Sequence, residues 1–199
     1  MSNLELVLTH YKMPLLGAEW YKRFHGETNV HIVEGDILSS KCDALVSPGN
    51  SIGFMDGGLD LLITKKYGWE IQGKLRKRIQ ETALRELLVG QAVVIETSQT
   101  PKYIICAPTM RVPERLTSES VNAYLAMKAI LSQAILHPDI RSVAIPGLCT
   151  GTGGMSAAMA AHQMFMAYDE VVHGNHPEFY TYQDAKKHHV RLKQPNSHR

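Results

Sequence analysis

The sequence predicts an α/β fold, a three-layer α-β-α sandwich around a mixed, mostly parallel central sheet. Three observations predict it. Short apolar or β-branched runs alternate with longer amphipathic stretches along most of the chain, the pattern of strands joined by crossover helices. The runs Ala44 to Val46 and Val143 to Ile145 are apolar throughout, as strands covered on both faces are. Both lead directly into glycine-rich loops. In such folds ligands bind outside the carboxyl ends of strands.

The elements follow in order. Leu4 to Thr9 reads as a strand. Pro14 to Phe24 reads as a helix with Leu15, Leu16, Trp20 and Phe24 on its apolar face. Val30 to Val33 is a second strand, followed by Glu34-Gly35-Asp36-Ile37, and Ala44 to Val46 a third. Leu59 to Lys66 and Trp69 to Leu88 have helical patterns, the second with many charges on its outer side. Gln91 to Glu96 and Tyr103 to Ala107 are strands. Ser118 to Leu136 is a helix with Ser118 as its candidate cap, Val143 to Ile145 another strand, and Met155 to Val172 the last helix.

At 199 residues the chain has ample length for a real core. Residues 1–175 are expected to form one domain, and 176–199 a basic, histidine-rich tail that is partly disordered. From His173 to Arg199 five Lys or Arg face two acidic residues, so with a net charge of +2 the rest of the chain stands near −1 (+2 minus +3). That balance does not indicate a nucleic-acid binder. No apolar run approaches a membrane span, and no signal-peptide pattern is evident. Cys42, Cys106 and Cys149 form neither a CxxC pair nor a zinc pattern. The expectation is a reduced, cytoplasmic protein with no metal and no cofactor.

The two glycine-rich loops carry the chemistry. Val46 to Asp60, VSPGNSIGFMDGGLD, packs Asn50, four glycines and the carboxylates Asp56 and Asp60 into a short stretch. Arg141 to Ala158, RSVAIPGLCTGTGGMSAA, reads as strand, glycine-rich turn and helix start. Glycine lets backbone N–H groups approach phosphate oxygens, and a helix N-terminus favours anions. Cys149 is either a reactive thiol or a small apolar filler.

Four motifs in this order resemble the macro domains, which bind ADP-ribose and its derivatives. They are EGDI at Glu34 to Ile37, DALVSPGNS at Asp43 to Ser51, GGLD at Gly57 to Asp60 and IPGLCTGTGG at Ile145 to Gly154. The resemblance spans about Val30 to Val172. It implies that Asp36 accepts the adenine amine while a backbone N–H near Ile37 serves a ring nitrogen. Gly57 and Gly58 of the first loop, with Thr150, Gly151, Thr152, Gly153 and Gly154 of the second, would hold the diphosphate. Asn50 would bind hydroxyls of the distal ribose, and Asp60 would position or deprotonate a water near its anomeric carbon.

The sequence also departs from that pattern. Ser47 stands where the family has the first Asn of N-A-A-N, Pro48 and Gly49 replace the two alanines, and Asp56 interrupts the glycine run. The stacking aromatic that some relatives place after their last helix is not evident, and the sequence assigns no stacking partner to the adenine. Ile63 to Gly68 and Pro101 to Arg111 resemble a branch that cleans ADP-ribosylated nucleic acid with a helix Lys and a loop-two Asp. Those positions fall on Thr64, one residue before Lys65, and on Gly153.

Two functions remain open. One is an enzyme that binds ADP-ribose or a related nucleotide and hydrolyses an ADP-ribosyl, acyl or phosphate group at the distal ribose. The other is a reader that binds free or attached ADP-ribose without turnover. Partners would be that nucleotide and ADP-ribosylated protein or nucleic acid, with no membrane. A dinucleotide-binding Rossmann fold fits less well, because Gly151-Thr152-Gly153 comes late in the chain and lacks the third glycine.

Overall fold

A computed structural model describes residues 4–195. The elements run β1 (Glu5–His10), α1 (Pro14–Phe24), β2 (Val30–Glu34), β3 (Ala44–Ser47), α2 (Gly58–Tyr67), α3 (Glu70–Gln80), β4 (Val93–Glu96), β5 (Tyr103–Cys106), α4 (Asn122–Leu136), β6 (Ser142–Ile145), α5 (Ala157–Val172) and α6 (Tyr182–Arg191). They form the expected three layers around one mixed sheet. The strand order is β2-β1-β6-β3-β5-β4, all parallel except β4, which runs antiparallel to β5.

Each face of the sheet has its own core. Trp20, Phe24, Met127, Ile130, Met164 and Tyr168 bury α1, α4 and α5 on one side. Ile63, Tyr67, Ile71, Leu75 and Ile79 bury α2 and α3 on the other. The central strand β3 is buried at every position, which is why its sequence shows no alternation.

Several boundaries differ from the sequence reading for local reasons. The helix expected from Trp69 to Leu88 stops at Gln80. Thr82 Oγ1 donates to Ile79 O at 2.7 Å, Arg85 turns into the left-handed region at φ 53°, and Leu87 N–H donates to Ser51 O at 2.9 Å. Burial of Leu87 under the first loop outweighs helix propensity here. The next helix begins at Asn122, and Ser118 does not cap it. Asn122 Nδ2 instead donates to Thr109 O at 2.8 Å.

The segment expected as a partly disordered tail contains α6. Thr181 and Asp184 form a reciprocal capping box at its start, and Leu192 is buried just beyond its end. His188 Nε2 meets Glu170 Oε1 at 2.9 Å, and Lys128 Nζ and Tyr124 Oη reach Glu170 Oε2 at 2.9 and 2.7 Å. Burial alone would raise the Glu170 pKa, but these three partners hold it at about 2. Sequence periodicity cannot see such anchors, because they come from α4 and α5. Residues 196–199 of the expected tail lie outside the described residues.

Candidate functional site

Loops at the carboxyl ends of the parallel strands surround one cleft of about 660 Å³. Ten of the eleven residues singled out from the sequence line it: Asp36, Ile37, Asn50, Gly57, Gly58, Asp60, Thr150, Gly151, Thr152 and Gly153. Gly154 does not. It takes φ 66° to close the second loop, and a β-carbon there would come within 2.8 Å of Arg115 Nη1.

Asp60 lies in the first turn of α2 and is only 7% exposed. Ser47 Oγ, at the end of β3, donates to Asp60 Oδ1 at 2.7 Å. Burial pushes this carboxyl up to about 6 and the charge of Asp56 adds to the rise, while the Ser47 hydroxyl opposes it. A carboxyl that titrates near neutrality can take or give a proton at working pH. Asp56 itself is exposed at the cleft margin.

Asn50 is half-buried, and its amide is engaged by its own loop. Nδ2 donates to Phe54 O at 2.7 Å, and Oδ1 accepts from Ile52 N–H and Phe54 N–H at 3.1 and 3.3 Å. These bonds hold the turn that carries Phe54 to the cleft. Arg76 lies over the Phe54 ring, 4.4 Å from its centroid.

At the far end, Asp36 follows β2 and starts a short 3₁₀ turn, Ile37–Ser39. Its Oδ1 accepts from Leu38 N–H at 2.9 Å, which fixes the side chain at the exposed rim while Ile37 is buried. Such Asx geometry is common for Asp after a strand.

The second loop is tight. Met155 N–H donates to Cys149 O at 3.0 Å and Gly154 N–H to Gly151 O at 3.0 Å. Among the described residues, the N–H groups of Gly151, Thr152 and Gly153 donate to no other protein group. A β-carbon on Gly153 would lie 2.7 Å from Cys149 O, so the turn requires glycine there. Cys149 is buried, at φ 64°, and burial pushes its thiol up to about 12. It is a packing residue rather than a nucleophile.

Neither residue of the helix-lysine motif reaches the cleft. Thr64 is buried, with Oγ1 donating within hydrogen-bond range to Met55 O and Leu61 O, and Lys65 is exposed outside it. The sequence reading missed another side of the cleft. Tyr11, 63% exposed, follows β1 and lines the cleft with Thr9, His10, Met13 and Leu16. No motif marked them. Their placement follows from β1 lying between β2 and β6. Among the described residues, no group of three or more His, Cys, Asp or Glu could hold a metal ion, and no helix is long and apolar enough to cross a membrane.

Comparison with known proteins accords with this geometry. Residues 46–164 match the family model of the Macro domain. An uncharacterized protein of Aeropyrum pernix is 32% identical over 157 residues, 77% of each chain. A DNA ADP-ribosyl glycohydrolase of Mycobacterium tuberculosis is 30% identical over 143 residues, which cover 69% of this chain and 38% of that protein. Among solved structures, the macrodomain of Mycobacterium tuberculosis DarG is similar with a TM-score of 0.55 at 26% identity, over 68% of this chain and 87% of that one. The Oceanobacillus iheyensis macrodomain with ADP has a TM-score of 0.58 at 20% identity, over 80% and 87%, a likeness of fold. With strand order, twin glycine loops and a family match over more than half its length, this chain belongs to the macro domain family.

Proposed function

We propose that the cleft binds ADP-ribose, free or attached to a larger target, and that the protein hydrolyses the bond at the distal ribose. The observation that carries the catalytic half is Asp60, a buried carboxyl facing the cleft with a pKa near neutrality. The adenine would lie between Asp36 and the ring of Tyr11. The diphosphate would take the unengaged N–H groups of the second loop and those of the first turn of α2. The distal ribose would then rest over Asp60. There a water oxygen bonds to the anomeric carbon as its bond to the target breaks. Asp60 takes a proton from the water, and the leaving group gains one from solvent. The name of the mycobacterial relative, a DNA ADP-ribosyl glycohydrolase, supports nucleic acid as the first target to test.

The reader alternative has its own observation. The Asn50 amide already serves its loop, which leaves Asp60 with little help in orienting the ribose. Calorimetry with ADP-ribose and a discharge assay on modified single-stranded DNA and carboxylate-modified protein separate the two. Asp60→Ala should keep most affinity and lose about 10²–10⁴-fold in turnover. Asp36→Ala should weaken binding roughly ten- to hundred-fold. Tight binding with no discharge of either target by the parent would leave the reader as the function.

A further inference from the structure

The first loop departs from the family pattern at Ser47 and Gly49, and both departures touch the same side chain. Ser47 Oγ donates to Asp60 Oδ1 at 2.7 Å, and both residues are buried. On the other side, Asp60 Oδ2 lies 2.5 Å from where a β-carbon on Gly49 would stand. An alanine, which the family pattern has here, could not coexist with the carboxylate in this position. Gly49 has no left-handed φ, and the three nearest heavy atoms to that β-carbon position, its chain neighbours aside, all belong to Asp60. No turn demands glycine at 49. What a β-carbon there would meet is the Asp60 carboxylate, which would have to move aside.

We propose that Ser47 and Gly49 are positioning residues for Asp60, a hydroxyl clamp on one oxygen and a vacated β-carbon space for the other, so that the carboxylate is held inward beneath the reacting bond. The proposal rests on the hydrolytic reading for its link to turnover, but the positioning itself can be read without any substrate. The groups that bear on Asp60 are few. Asp56 raises its pKa from the cleft margin, Ser47 lowers it, and the neighbouring Cys106 is driven far up by burial and by Asp60, so it stays neutral. The two positioning residues therefore act in opposite senses. Losing the Ser47 hydroxyl removes a donor that favours the ionised form, so the Asp60 midpoint should rise. Adding a methyl at 49 should push the carboxylate toward the open cleft, so its midpoint should fall toward that of an ordinary aspartate.

The test is carboxyl titration by carbon NMR on the full chain labelled at aspartate, with the Asp60 signal identified by its loss in Asp60→Ala. Ser47→Ala should move the midpoint up by about half a unit or more, and Gly49→Ala should move it down by at least one. Gly49→Ala should also lower kcat more than tenfold while KM stays within about threefold. In an Asp60→Ala background, where the obstacle is gone, adding Gly49→Ala should leave Tm unchanged. Shifts in the same direction, or an unmoved midpoint in Gly49→Ala, would overturn the proposal. If the parent discharges no substrate, the hydrolytic reading fails while opposite shifts still uphold the positioning.

Discussion

At the scale of a single residue, the burial that would suit Asp60 to the proposed proton transfer also makes it a burden on the fold. Its folded pKa of about 6 lies above the ordinary value of 3.8. Between those values the folded state holds more protons than the unfolded state, so stability falls as pH rises from about 4 to about 6 and stays lowered above that. Asp60→Asn keeps an acceptor for Ser47 and carries no charge. It should be more stable than the parent at pH 8, by up to about 3 kcal/mol, and equal to it near pH 3.5. Thermal melts at the two pH values measure this. Equal melting temperatures at both would mean that Asp60 is better solvated than its 7% exposure suggests. The expected loss of turnover in the same variant is the familiar opposition between stability and a strained active site.

At the scale of the element, each loop is a strand-to-helix connection whose backbone would supply the anion contacts in the proposed complex. The second loop has no room for side chains at Gly153, where a β-carbon meets a backbone carbonyl rather than a flexible chain end. Gly153→Glu adds bulk and a like charge beside the expected diphosphate. Affinity for ADP-ribose should drop at least about a hundredfold, roughly 2.7 kcal/mol, with far-ultraviolet circular dichroism unchanged. Parent-like calorimetry for a folded Gly153→Glu protein would remove the second loop from the phosphate site. Helix α6 belongs to this scale too. Its capping box was present in the sequence, Thr181 to Asp184, but its docking partners Glu170 and Tyr124 lie on other helices.

At the scale of the whole molecule, the sheet order makes the site. Inserting β1 between β2 and β6 sets Tyr11 beside Gly35 and Asp36, since Gly35 N–H donates to His10 O at 2.9 Å. This supplies an aromatic next to the expected adenine from the start of the chain. Tyr11→Ala should weaken ADP-ribose binding about five- to tenfold, in line with the loss of one stacked aromatic, roughly 1 kcal/mol. It should leave ribose 5-phosphate binding unchanged. Equal losses for both ligands, measured by calorimetry, would place Tyr11 at the phosphate rather than the base.

The sequence by itself determined the fold class, the order of strands and helices through α5, both glycine loops and ten of the residues that line the cleft. These are local signals. Apolar periodicity, glycine where side chains cannot fit, and carboxylates at a helix start are all set by neighbours a few residues away. Tertiary structure decided the rest, because it depends on groups far apart in the chain. It turned Asp60 inward onto Ser47 and into the space at Gly49, ended α3 early so that Leu87 could be buried, docked α6 on Glu170 and brought Tyr11 to the cleft. Burial and sheet order are properties of the packed molecule, and no stretch of sequence read alone contains them.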